Sequence, residues 1–317
     1  MPISAVRPPG GCLAPVALDF VVDDPESIRR LARSNGPYFQ PGRYLVDAGA
    51  AQSASAGETK QQVEIPKGLV GPVFRGDWAV DGEAILGDAQ KLLTLPAFID
   101  AAKTICNSEF VVPEQVFVNL TTPCGGQPFS HTDVPEFRGV GRKNAPGWLL
   151  LVMGGSRCFE PERITIITAV SWFFQGERGY FRYWPDGRDA DSLRHEDLWN
   201  SAVVGDNDFM HHKVERVGPR DLRAPAEMTI DSELRFDGST WLIEDAGKVL
   251  ASYDDEYIRL SLSWKAKVYG SDAERRSVEA GVDGLTIDEV LARLETAFGE
   301  PLATSGPDAL SSPELRD

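Results

Sequence analysis

Histidine is scarce in this chain, with four in 317 residues. Any metal or proton chemistry that uses imidazole must therefore draw on His131, His195, His211 and His212. Cysteine is equally scarce: Cys12, Cys106, Cys124 and Cys158 form no CxxC pair. That excludes a zinc knuckle and a small disulfide framework, and the four read as reduced thiols. No apolar run reaches the ~18 residues needed to cross a bilayer, and MPISAVRPPGGCLAPVALDF lacks a basic region followed by a long apolar segment. The expectation is a cytoplasmic protein without a secretory signal, in which the sequon Asn119-Leu120-Thr121 is incidental. Positive charge is also in deficit: 32 Lys and Arg against 48 Asp and Glu give a net charge of −16. Such a balance repels phosphate backbones and anionic lipid, so no nucleic-acid and no membrane partner is expected. Small molecules remain.

What is present is ordinary globular composition, 42% hydrophobic and 25% charged, in a chain long enough for a sizeable core. In DPESIRRLARS, an Asp cap, Pro at the first helical position and apolar Ile28 and Leu31 predict a short helix. Residues 48–62 are small and polar and read as a loop, either a lid or a plain insertion. From Asp81 to Cys106 the apolar spacing is helical, with Pro96 breaking or restarting the helix. After Val112 short β-rich segments dominate: EQVFVNLTT, GWLLLVM, ITIITAVSWFF, GYFRYW, LWNSAVV, MHHKVERV, STWLIED and EYIRLSLSWKAKVY. These predict an antiparallel sandwich or barrel. TIDEVLARLETAFG is a helix with a capping box at Thr286 and Glu289 and a stop at Gly299. The resulting organisation is mainly β with flanking helices: N-terminal helical and loop decoration over 1–111, a β core over 112–270 with an insertion near 219–256, and a C-terminal helix and frayed tail over 271–317.

The stretch SHTDVPEFRG concentrates the chemistry. On an extended strand, residues two apart point to one side, so His131 and Asp133 can offer an imidazole nitrogen and a carboxylate oxygen to one centre. A third ligand would complete a facial triad of two histidines and one carboxylate, an arrangement that suits non-haem Fe(II) and dioxygen. His195, in SLRHEDLW, reads as a residue of a solvated turn or short helix. In DFMHHKVERV, by contrast, His212 shares the more apolar strand face with Met210 and Val214, while His211 lies on the other.

HTD at 131–133, HKVERV at 212–217 and RLS at 259–261 together resemble the HxD...H...RxS signature of Fe(II)/2-oxoglutarate-dependent dioxygenases. The resemblance runs over roughly residues 112–269 and includes GERGYFRYWPDG at 176–187, similar to the Gly-containing strand and turn between the family's metal-binding segments. It implies a double-stranded β-helix, a jelly-roll or cupin-like core. It further implies that His131, Asp133 and His212 are the iron ligands, that Arg259 pairs with the distal carboxylate of 2-oxoglutarate, and that Ser261 adds a hydrogen bond. A planar guanidinium fork suits a carboxylate. The 47 residues between His212 and Arg259 exceed the family's usual gap, so the insertion has to form its own hairpin or flap. Arg216 is then the competing anion partner.

The activity implied is hydroxylation of an unactivated C–H bond in a small metabolite, such as an amino acid or natural-product intermediate, using O2 and releasing succinate and CO2. Halogenating members of the family lack the carboxylate ligand, so Asp133 points to hydroxylation, or to desaturation or ring formation. Asn119 and Thr121 precede the HxD on one strand face and could line the pocket, as well as being plain strand residues. Cys124 reads as a turn cysteine, and Trp172, Tyr180, Tyr183 and Trp184 as core aromatics or a stacking surface. Three alternatives stay open: a cupin-like dioxygenase that uses no 2-oxoglutarate, a zinc hydrolase, and a non-catalytic jelly-roll binding module.

Overall fold

The computed structural model describes residues 6–8, 11–43 and 70–299. Elements follow local sequence chemistry. After β1 (Val16–Leu18), helix α1 (Pro25–Ser34) starts where the Asp24 carboxylate accepts from the Ser27 amide at 3.1 Å. Strands β2 (Tyr38–Phe39), β3 (Val73–Val80) and β4 (Glu83–Ala84) precede α2 (Ala89–Leu93) and α3 (Pro96–Cys106), so Pro96 restarts rather than ends a helix. Strand β5 (Phe110–Thr121) opens the β-rich part and β6 (Glu136–Phe137) follows.

GWLLLVM departs from expectation, because Gly147–Ser156 is a helix, α4. A continuous apolar run carries no strand alternation to set it apart from a buried helix, and Leu149, Leu150 and Met153 supply a buried helical face. The remaining strands are β7 (Arg163–Phe173), β8 (Phe181–Trp184), β9 (Leu193–His195), β10 (Trp199–Gly205), β11 (His211–Val214), β12 (Glu233–Phe236), β13 (Trp241–Asp245), β14 (Lys248–Tyr253) and β15 (Arg259–Tyr269). Helices α5 (Asp272–Glu279) and α6 (Ile287–Phe298) close the described chain, α6 with the Thr286–Glu289 capping box and a left-handed Gly299. Residues 48–62 and the C-terminal tail lie outside the described residues.

The large sheet has the order β1-β10-β7-β15-β5-β3-β2-β12-β13-β14, and the small sheet β11-β8-β9. Isolated antiparallel bridges Cys124↔Val217 and His131↔His212 lay residues 124–131 along the free edge of β11. Two four-membered layers result, β10-β7-β15-β5 opposite β9-β8-β11 and the 124–131 segment. The chain passes between them in the order of a double-stranded β-helix. Trp172 and Val203 from the first layer pack with Phe181, Tyr183 and Met210 from the second.

Strand alternation decides what each layer buries. From β15, Leu260, Leu262, Trp264, Ala266 and Val268 join the core that α1, α2 and α3 cover, and the Trp264 indole donates to the Leu93 carbonyl at 2.8 Å. Each of the leucine and valine side chains contributes about 1.5–3 kcal/mol of burial. The opposite face of the strand carries Arg259, Ser261, Ser263 and Lys265, directly across from Thr121, Asn119, Phe117 and Gln115 of β5. A separate cluster of Phe137, Leu149, Met153, Phe159, Val290 and Leu294 fixes α4 against α6, with Phe137 on β6, which pairs with β7.

The N-terminal third adds β1 to β10 and β3 to β5, so it extends the sheet as well as covering it. The 219–256 segment forms the meander β12-β13-β14, which continues the large sheet through β2.

Candidate metal and cosubstrate site

The bridge between His131 and His212 brings the two histidines side by side. Their backbones exchange hydrogen bonds of 3.0 and 2.8 Å, and their rings lie 4.5 Å apart. Asp133 follows two residues on, anchored by its amide to the Asn207 carbonyl at 2.8 Å. One ligand atom from each of His131, Asp133 and His212 falls within 4.8 Å of the others. Donors held about 2.1 Å from one ion lie at most about 4.2 Å apart, so small side-chain rotations close the set. His212 Nδ1 lies 2.8 Å from the Met210 carbonyl, which fixes the proton on Nδ1 and leaves Nε2 free to ligate. Nε2 faces Asp133 Oδ1 at 3.8 Å.

Lys265, absent from the residues proposed on sequence, organises the other half of this carboxylate. Its Nζ contacts Asp133 Oδ2 at 2.5 Å, and Thr168 Oγ1 donates to the same oxygen at 3.4 Å. Burial opposes ionisation of Asp133, but the positive charge of Lys265 and the neighbouring His212 outweigh it, holding the carboxyl well below the usual range. Burial lowers Lys265 in turn, while Asp133 draws it back up. The pair stays ionised, because Lys265 keeps a carboxylate at contact distance. Burial and the adjacent His212 push His131 down to about 4, although one edge of this residue meets solvent. A neutral His131 beside an ionised carboxylate is the protonation state that metal binding requires.

Arg259 lies in the same interior, near the other end of the inner face of β15. It is 2% exposed and has no carboxylate partner among the described residues. Nε donates to the Gly179 carbonyl at 2.7 Å and Nη1 to Ser261 Oγ at 3.4 Å, while Nη2 is buried without a partner among the described residues. Burial pushes its pKa down to about 10. Gly179 sits at φ +78°, and a Cβ there would meet Arg259 Cδ at 2.8 Å, so glycine gives the guanidinium stem its room. Asn119 lies across from Ser261 and donates to Ser263 Oγ at 3.5 Å. Thr121 is buried across from Arg259.

The other sequence candidates are placed as follows. His195 is on strand β9, not in a solvated turn or helix. Its ring stacks on Trp172 at 4.8 Å and its Nε2 lies 2.9 Å from Ser201 Oγ. The charges flanking it mask a three-residue strand that pairs with β8. His211 pairs with Trp184 on the opposite face from His212 and is outside the triad. Cys124 pairs with Val217 by backbone and is partly buried against the interior cluster, which also holds Trp172, Tyr180 and Tyr183. Arg216 is half-buried and also carries a nitrogen, Nη1, without a partner among the described residues. A cavity of about 310 Å³ lined by Phe174, Gly176, Tyr180, Glu196, Asp197 and Trp199 includes no triad residue. The alternation RLSLSWK already puts Lys265 on the Arg259 face, and that was the available signal.

No family model matches the sequence, and no curated protein matches it. Among solved structures the chain is similar to an oxidoreductase of the 2OG-Fe(II) oxygenase family from Burkholderia pseudomallei, at 11% identity over 71% of this chain and 79% of that one, with a TM-score of 0.34. It is similar to a Pseudomonas putida prolyl-4-hydroxylase at 13% identity over 74% and 90%, TM-score 0.33. It is also similar to SnoK, a non-heme alpha ketoglutarate dependent carbocyclase from nogalamycin biosynthesis, at 10% identity over 90% and 96%, TM-score 0.41. At such identities and scores the likeness assigns neither reaction nor substrate.

Proposed function

We propose that this protein is an Fe(II)- and 2-oxoglutarate-dependent oxygenase that hydroxylates an unactivated C–H bond of a small molecule. The carrying observation is the pairing, inside one double-stranded β-helix, of a His-Asp-His triad with the buried, carboxylate-free Arg259. His131, Asp133 and His212 would hold the metal, and Arg259, with Ser261 and Asn119 beside it, would take the distal carboxylate of 2-oxoglutarate.

When bound, iron and 2-oxoglutarate activate O2 for C–H oxidation, with 2-oxoglutarate leaving as succinate and CO2. The chain's own work is to orient and exclude. Met210 fixes the His212 tautomer, and Lys265 and Thr168 occupy Asp133 Oδ2 so that Oδ1 is the oxygen offered to the metal. Phe181 and Trp172 pack behind the triad and keep bulk water from that side. Retention of a carboxylate at 133 supports hydroxylation over halogenation.

An iron oxygenase with no 2-oxoglutarate would leave Arg259 Nη2 buried without purpose, at about 1–3 kcal/mol for an unsatisfied donor and more for a charged one. The test is to incubate the iron-loaded protein with 2-oxoglutarate and O2 and quantify succinate. Succinate formation lost in Asp133→Ala supports the reading; O2 consumption independent of 2-oxoglutarate contradicts it.

A further inference from the structure

We propose that the primary substrate carries an anionic group, a carboxylate or equivalent oxyanion, that pairs with Arg142 at the mouth of the site. This inference rests on the oxygenase reading and adds a substrate class to it.

A cavity of about 60 Å³ has Val134, Glu136, Arg142, Ile166, Lys265 and Lys267 in its lining and, like the larger one, no triad residue. Its volume, roughly two waters' share of liquid, suits a carboxylate group rather than a whole metabolite. Lys265, which bonds Asp133, connects it to the metal ligands.

The neighbouring charges at this mouth are already matched, except one. Lys267 is shared by Glu114 and Glu136 at 3.0 and 2.8 Å, Arg75 holds Asp77 at 2.7 Å, and Lys143 holds Asp81 at 2.8 Å. Arg142 has no hydrogen bond or ion pair with the described residues; it is attracted by Asp133 and Glu136 and repelled by Arg75 from further away.

Its loop is nonetheless fixed. The Arg138 carbonyl accepts from Leu285 N at 2.9 Å, Asn144 bonds both Gly141 N and the Gly139 carbonyl, and Gly139 lies so close to Leu285 that a Cβ would be 2.5 Å from its carbonyl oxygen. A held, solvent-facing guanidinium is a receptor whose ordering entropy has already been met.

Lys265 and Lys267 are committed to the carboxylates beside them, so the unpaired Arg142 guanidinium sets the ligand's sign as anionic. Arg259 takes the distal carboxylate of 2-oxoglutarate and the metal site takes its other end, so neither end is the partner assigned to Arg142. Arg142 serves the Lys265 end.

The test uses the full chain loaded with Ni(II) and saturating 2-oxoglutarate, an unreactive state. Benzoate and benzamide serve as probes and are titrated by calorimetry. Saturable benzoate binding, weakened about tenfold or more in Arg142→Gln and partly restored in Arg142→Lys, with no benzamide binding, is the expected result. Equal benzoate affinity in wild type and Arg142→Gln, or no saturable binding to wild type, overturns the proposal. The 2-oxoglutarate titration in the same samples is read first. Its failure removes the oxygenase reading and this inference with it, whereas normal 2-oxoglutarate binding with Arg142-independent benzoate removes the inference alone.

Discussion

Lys265 and His212 divide the Asp133 carboxylate between them: the lysine Nζ contacts Oδ2 at 2.5 Å and the imidazole Nε2 faces Oδ1 at 3.8 Å. One oxygen is thereby committed to the protein and the other to the site.

This division predicts an unusual effect on metal affinity. Removing Lys265 frees Asp133 to turn, which by itself would weaken metal binding about 10–100-fold. It also removes a cation roughly 4–5 Å from a divalent ion, a repulsion of several kcal/mol at an effective dielectric near 20. The second effect is larger. Lys265→Met should therefore bind Ni(II) more tightly than wild type, and its metal-free form should unfold at lower temperature because Asp133 loses its ion partner. Thermal melts with and without Ni(II) should show the larger metal-induced rise in the variant; a smaller rise refutes the electrostatic account.

Arg259→Ala should raise the KM for 2-oxoglutarate by about 10–100-fold, the worth of a charge-assisted pair, with little change in KM for the primary substrate. Steady-state kinetics on Arg216→Ala provides the control. If that variant carries the effect instead, the guanidinium has been misassigned.

Gly179→Ala tests the same group indirectly. A Cβ at φ +78°, 2.8 Å from Arg259 Cδ, should displace the guanidinium and raise the 2-oxoglutarate requirement while leaving the His-Asp-His metal affinity intact. Parallel metal and 2-oxoglutarate titrations separate the two effects.

Acid–base behaviour should expose Asp206, buried beside Arg7. Burial pushes its pKa up from 3.8 to about 7, with Arg7 opposing and Asp208 reinforcing the rise. A folded pKa above the unfolded one means that the folded state holds the extra proton. Stability from this group is full below the unfolded value and is lost as pH rises through about 7. Relative to Asp206→Asn, wild type should lose stability between about pH 4 and 7, by at most ~1.4 kcal/mol per pH unit. Denaturant midpoints across that range read the difference, and parallel curves would refute it.

Much of the site was legible because chemistry-bearing residues are few. With four histidines, one two residues from an aspartate and another on the apolar side of an alternating strand, spacing offered the pair and a candidate third ligand, and the resemblance to the HxD...H...RxS signature implied the set. Arg259 and Ser261 were implied by the same resemblance, with the alternation of β15 favouring Arg259 over Arg216. The His195 strand was hidden by flanking charge, and α4 by an apolar run that fits either period. Lys265 and Arg142 were illegible as partners for a different reason: their roles depend on which strand lies opposite and which charges are already paired, and tertiary register decides both. The strands that the N-terminal third adds to the sheet were missed because they are short or lack a clear period.

The most direct test of the central claim is the visible spectrum of the protein with Fe(II) and 2-oxoglutarate under strict exclusion of oxygen. A weak charge-transfer band should form in wild type and in His211→Ala, and should be absent in His212→Ala and in Asp133→Ala. Tight iron binding with no such band in wild type would contradict 2-oxoglutarate chelation at this triad.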